Sequence, residues 1–306
     1  MNILEWLSTL EPMTNWLRGY FSVLAIWGAY MLAFAVLEWR FPAESGQPWR
    51  DRGFNLHYLL WAQAITLTLV PPLTVFVVGG VKARFPDAFG WLSSATFSHL
   101  VFYAVIYYLA YDGLYYAFHR LQHRSPLLWR QHMLHHSEHS LNATTAARHH
   151  WLEDPLRIFT MTLPLALLFQ APPQIVGVAG VLFATWGFFI HANIRLALGP
   201  LTTIFCGPQL HRIHHSRLPE HRDKNFAAFF PLWDRLFGTY WAPRPDEFPP
   251  TGLIDGSWHR NIRQALLSPF GYPIERSAAP APPPTGTGSL EPTVSLQPSD
   301  WPQRHP

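Results

Sequence analysis

Apolar residues in this chain fall in long runs, separated by short segments where histidine and arginine crowd together. Tyr20 to Leu37 carries no charge and is long enough to cross a bilayer as a helix, which needs about 20 apolar residues. His57 to Val78 is a second run, with Pro71-Pro72 as an expected kink. His99 to Phe118 is a third, rich in Tyr and interrupted by Asp112. Ile158 to Ile190 is uncharged but broken at Gln170-Ala-Pro-Pro-Gln174, which predicts a hairpin of two short helices. Residues 1–19 set Glu5, Glu11 and Arg18 among Trp6, Leu7, Leu10, Trp16 and Leu17. They read as an amphipathic interfacial helix, not a cleavable signal.

The expected fold class is all-α: an integral membrane bundle of about four crossing helices capped by a cytosolic histidine-rich helical domain. Residues 20–242 form the membrane and histidine-bearing domain, and 243–277 a C-terminal extension. Residues 278–306 turn to Pro, Ala, Ser, Thr and Gly and are expected to be a disordered tail without a role in the chemistry.

The chain is only 13% charged, about half the share of a soluble domain. Its 14 Trp, 11 Tyr and 22 Phe suit a membrane interface. A net charge of +3 fits an anionic lipid surface and gives no reason to expect nucleic acid. With Cys206 as the single cysteine, an internal disulfide and any cysteine-based zinc or iron–sulfur site are excluded. Metal chemistry would rest on histidine with a few carboxylates.

Three clusters concentrate that histidine: His119-Arg-Leu-Gln-His123, His132-Met-Leu-His135-His136 and His211-Arg-Ile-His214-His215. The first is spaced i, i+4; the other two share i, i+3, i+4. On helices these spacings align the imidazoles on one face. Ser125-Pro126 and Gly207-Pro208 are start signals for the helices carrying the second and third clusters. For all clusters to share a site, the chain between His136 and His211 must cross the membrane an even number of times, as the hairpin allows. Arg40, Arg50, Arg52, Arg120, Arg124, Arg130, Arg148 and Arg157 lie on the histidine side, against Lys82 and Arg84 opposite. By the positive-inside rule that side faces the cytoplasm.

Asp112, Tyr116, His119 and His123 form one helical stripe, which makes Asp112 and Tyr116 candidate catalytic residues. Asp112 is expected to accept a proton from an imidazole and fix its tautomer. His191, at the exit of the hairpin, is a ninth candidate ligand, and His150, beside His149 and ahead of Glu153, a tenth. Imidazole suits Zn, Cu, Fe and Ni alike. So many imidazoles bordering apolar helices suit two redox ions that bind O2 and oxidise a lipid reaching them from the bilayer. A membrane zinc-binding or transport protein is the alternative. The runs carry few polar groups besides Asp112, which disfavours transport.

The order HxxxH, HxxHH, a lone His after a membrane hairpin, then HxxHH resembles the fatty acid hydroxylase/sterol desaturase superfamily. Asn142-Ala-Thr-Thr145, Arg148-His-His-Trp-Leu-Glu153, Asp223-Lys-Asn225 and Trp233-Asp-Arg-Leu-Phe-Gly-Thr239 strengthen the likeness, which covers about residues 20–242. The resemblance implies two iron ions, with zinc as a purification substitute, and O2-dependent hydroxylation or desaturation of a sterol, fatty acyl or alkyl-glycerol lipid; hydroxylation is the expected outcome. It implies His119, His123, His132, His135, His136, His191, His211, His214 and His215 as ligands, with a less uniform role for His150. Gly187 stands where some members carry a further His, which leans towards the sterol-oxidase or alkylglycerol-monooxygenase-like branch. Electrons are expected from a separate donor: a reductase, ferredoxin or cytochrome b5-like protein.

Overall fold

The computed structural model describes residues 3–93 and 100–276; the proline-rich tail lies outside them. Helix α1 (Ile3–Arg40) runs unbroken through the segment expected to be interfacial. Helix α2 (Trp49–Thr74) continues through a π-helical turn, Val75–Gly79, into α3 (Gly80–Arg84). Helix α4 (Leu100–Arg124) and the shorter α5 (Pro126–His136) then meet at a corner at Ser125. At that corner Ser125 Oγ accepts from Leu128 N at 3.4 Å and Pro126 opens α5, as its sequence signals.

The predicted hairpin is present. Its first arm is α6 (Glu153–Arg157), a π-helical turn Ile158–Thr162 and α7 (Leu163–Leu168); its second is α8 (Pro173–His191). The break is extended chain at Phe169–Gln170, paired in parallel as β2 with β1 (Leu92–Ser93). Three short helices follow: α9 (Pro208–His214), α10 (Leu232–Leu236) and α11 (Ile262–Leu267). A two-residue antiparallel pair, β3 (Ser257–Trp258) with β4 (Glu275–Arg276), closes the described chain.

Among the described residues three helices are long and apolar enough to cross a membrane: Glu11–Arg40, Trp49–Arg84 and Pro173–His191. They leave large apolar side chains outward, including Phe21, Leu32, Val75 and Phe76, as lipid contact requires. The third expected crossing, in α4, is not among them. Its apolar character comes largely from tyrosines, and Tyr103, Tyr107, Tyr108, Tyr115 and Tyr116 are buried in three clusters of the core.

Two buried knots fasten the histidine-bearing end. Glu38, at the end of α1, accepts from Arg52 Nη1 (2.6 Å), Ala143 N (2.6 Å) and Asn193 N (2.8 Å). It thereby joins α1, α2, the 143–147 turn and the chain just past His191. Arg148 donates to Leu134 O, Asn55 Oδ1 and Ser137 Oγ, each at 2.9 Å. Its Nε thus places a cation on the last turn of α5 and satisfies one of the carbonyls that a helix end leaves open. That turn carries His135 and His136.

Candidate metal centre

Nine imidazoles from four segments converge into two adjacent groups. His119, His123, His132, His136 and His214 form the first; His135, His191, His211 and His215 form the second. Within each, the nearest nitrogens all lie within 4.8 Å of one another. The two HxxHH motifs are used in opposite senses. On α5 the i, i+4 pair His132 and His136 serves the first group and His135 the second. On α9 the pair His211 and His215 serves the second and His214 the first. Neighbouring helical residues point about 100° apart, so one motif can feed two centres set side by side. The His136 and His215 rings stack at 4.4 Å across the boundary.

The Nε2 separations have the dimensions of a coordination sphere. His136 Nε2 lies 3.1 Å from those of His123 and His214 and 3.2 Å from that of His132. His211 Nε2 lies 2.9 Å from that of His191 and 3.2 Å from that of His215. His191 Nε2 lies 3.1 Å from that of His135. A neutral imidazole has one N–H and one lone pair, so one Nε2 cannot hydrogen-bond three others. Two nitrogens each about 2.1 Å from one ion, at right angles, would stand about 3.0 Å apart.

The opposite ring edges set the tautomers. Nδ1 donates to Phe226 O from His119 (2.7 Å), to Lys224 O from His214 (2.8 Å) and to Gly187 O from His191 (2.6 Å). A carbonyl can only accept, so these Nε2 atoms carry lone pairs. His119 Nε2 is buried with no protein partner. His132 Nδ1 reaches Glu153 Oε2 and His123 Nδ1 reaches Asp223 Oδ1, both at 3.4 Å. Burial, reinforced by neighbouring imidazoles, pushes His135, His136, His211 and His215 well below the ordinary range; burial takes His214 to about 3. The rings are therefore neutral at physiological pH, the form that ligates metal. Orphaned nitrogen, spacing and protonation all fit metal binding.

Several candidates sit elsewhere. Asp112 does not meet an imidazole: its carboxylate accepts from Phe229 N (3.0 Å) and Phe230 N (2.9 Å). The stripe placed it correctly on α4, but unsatisfied backbone donors in the facing loop claim it. Tyr116 is likewise turned away: its hydroxyl lies 3.0 Å from Thr239 Oγ1 and accepts from Arg120. His150 is in neither group. Its Nε2 donates to Leu266 O and its Nδ1 accepts from Leu152 N, both at 3.1 Å, so both nitrogens are spent. Its neighbour His149 faces the centre instead, stacked on His135 at 4.1 Å. Burial alone would raise the Glu153 carboxyl. His149 and Arg157 beside it outweigh that and hold it well below the usual carboxylate range.

Residues 223–227 and Asp234 form a clamp that the sequence reading did not assign. Asp223 and Asn225 both adopt φ of 57°, a left-handed conformation that Asp and Asn tolerate. Between and after them, the carbonyls of Lys224 and Phe226 turn to His214 and His119. Asp234 holds Phe226 N and Ala227 N, both at 2.8 Å. The signal was present as Asp223-Lys-Asn225: two residues suited to positive φ, close behind a histidine cluster.

Residues 104–239 match the fatty acid hydroxylase family. Alkylglycerol monooxygenase of Danio rerio is 39% identical over 140 residues, which are 46% of this chain and 30% of that protein. Ornithine lipid hydroxylase OlsE of Rhizobium tropici is 35% identical over 162 residues, 53% of this chain and 48% of that protein. A Delta(7)-sterol 5(6)-desaturase of Gibberella zeae is 30% identical over 163 residues, 52% and 44% respectively. The chain thus spans less than half the length of each of these relatives. No solved structure matches it.

Proposed function

We propose, on the match of residues 104–239 to the fatty acid hydroxylase family, that the chain is a membrane-bound lipid hydroxylase holding two iron ions. The observation that carries this reading is the sorting of nine imidazoles into two groups, with the Nε2 lone pairs of His119, His214 and His191 turned inward. His119, His123, His132, His136 and His214 hold one ion; His135, His191, His211 and His215 hold the other. Asp112, Tyr116 and His150 act by fastening the surrounding chain. Bound iron supplies the activation of O2 and the oxidation of an unactivated C–H bond. One oxygen atom would enter that bond and the other leave as water, with two electrons from a separate donor protein and two protons from solvent. The chain holds the ions, keeps the imidazoles neutral and excludes water. The arginine-rich, histidine-bearing face lies on the cytoplasmic side.

The test is elemental analysis of the detergent-purified protein beside His136→Ala, followed by lipid mass spectrometry under O2 with a reductant. About two irons per chain, lost in the variant, and a lipid gaining one oxygen are expected. Zinc alone, unchanged after iron reconstitution, would return the protein to the zinc-binding or transport reading.

A further inference from the structure

Of the nine imidazoles in the two groups, eight are buried and His123 alone is not. Its side chain is 8% exposed, at the corner where α4 passes into α5. The half-buried Trp129 ring, just past that corner, packs 5.0 Å from the His123 ring and 5.5 Å from that of His136. Here the histidine groups come nearest the surface. The corner also stands away from the start of α4, where Leu100, Val101 and Val105 are exposed apolar residues. His123 lies 22 residues beyond Val101, a rise of about 33 Å, more than the about 30 Å of a hydrocarbon core. A soluble macromolecule can therefore reach it.

Two kinds of side chain make up the surface there. Leu121 on α4 and Leu127 on α5 are exposed apolar residues. Around them, segment 120–130 carries Arg120, Arg124 and Arg130 and no carboxylate. Arg120 is held by the Tyr116 hydroxyl at 3.1 Å, whereas Arg124 and Arg130 are exposed. From the facing loop, Asp223 Oδ1 lies 3.4 Å from His123 Nδ1 and Asp223 Oδ2 lies 3.8 Å from Arg222 Nε. Arg222, itself 62% exposed, thus reaches the same corner. Asp223 is already engaged on both sides, and Glu220 is the one other carboxylate of segment 217–224. A small apolar centre with a rim of one charge sign suits a weak, electrostatically steered encounter with a partner of the opposite sign.

We propose that this corner is the docking surface for the electron donor, an acidic one-electron carrier protein, with Trp129 and His123 beneath the centre of the contact. Carboxylates of the carrier pair with Arg124, Arg130 and Arg222, and Leu121 and Leu127 supply the dry contact. Each encounter passes one electron, the reduced centre of the carrier being oxidised by one, and two successive encounters supply the two electrons that hydroxylation consumes. Solvent-screened rim pairs release the spent carrier readily, as successive encounters need. The inference rests on the lipid-hydroxylase reading, which draws both electrons from outside the chain.

The test is surface plasmon resonance on the full chain in detergent with three soluble probes: the acidic haem domain of a cytochrome b5, an acidic plant-type ferredoxin, and basic cytochrome c as the control. At about 0.01 M salt an acidic probe should bind about tenfold more tightly than cytochrome c. It should weaken about tenfold by about 0.15 M, as the screening length falls from about 30 Å to about 8 Å. Arg124→Glu, Arg130→Glu and Arg222→Glu together should weaken it about tenfold, and Leu127→Asp should weaken it separately. Arg50→Glu with Arg260→Glu, at side chains 74% and 52% exposed elsewhere, should bind like the parent. Acidic probes binding no better than cytochrome c would overturn the proposal. So would a triple variant that binds like the parent, or an Arg50/Arg260 variant that loses as much as the triple. Elemental analysis of the same preparation decides the hydroxylase reading separately, because binding at this corner is measured whether or not iron is bound.

Discussion

Glu153→Gln isolates the charge that organises the edge of the metal centre. The carboxylate is buried and takes contacts from His132 Nδ1 (3.4 Å), His149 Nδ1 (3.0 Å) and Arg157 Nη2 (2.5 Å). Glutamine keeps the shape but offers one acceptor oxygen and places donors where a second acceptor stood. His132 then loses the partner that orients its ring. Loss of such a support typically lowers metal affinity by about 10–100-fold, or about 1.4–2.8 kcal/mol. The fold is affected less than by an ordinary broken buried ion pair, worth about 3–5 kcal/mol, for two reasons. Arg157 retains Asp154 at 3.4 Å, and its side chain is 27% exposed. A loss of about 1–3 kcal/mol is therefore expected. Anaerobic competition between the protein and a chelator for ferrous iron reads the affinity, and thermal unfolding in the same detergent reads the stability. An unchanged iron affinity in Glu153→Gln would refute this account, whatever happened to the melting temperature.

Asp112→Asn should unfold more readily by about 1–3 kcal/mol, because one of the two N–H groups it holds loses its acceptor; it should still load two irons, and lost activity at unchanged stability would restore a catalytic role. Gly113→Ala sets a helix-propensity gain of about 1 kcal/mol against overpacking of about 1–3 kcal/mol, since its Cβ would lie 2.7 Å from the Trp233 ring. A lower melting temperature is expected, with a rise for Gly53→Ala, where nothing lies within 4 Å. Burial lowers His150 to about 4 and His259 to about 3, so below the ordinary value of about 6.5 the unfolded chain binds more protons than the folded one. Stability of the metal-free protein should be full above that value and fall as pH drops towards 4; a flat melting profile there would contradict the neutral burial of both rings.

Much of the helical organisation was legible along the chain because its signals are local. Ser125-Pro126, Gly207-Pro208 and the break at 170–174 act within a few residues, and the structure starts or stops helices there. His191 at the hairpin exit could be tied to the clusters by topology alone. The tyrosines of α4 were less informative, because a Tyr-rich apolar run suits a membrane crossing and a protein core alike. In this structure five of them are core.

What sequence alone determined was the inventory, ten candidate imidazoles of which the structure brings nine together, and their phase within each helix. Tertiary structure decided the division of that inventory. Whether His135 or His136 serves a given group depends on how α4, α5 and α9 cross, and spacing within one helix holds no information about a partner helix. The same holds for Asp112, claimed by backbone donors 117 and 118 residues away, and for Glu38, bound to Ala143 N and Asn193 N. A buried carboxylate goes where donors lack acceptors, and only the assembled fold reveals which donors those are.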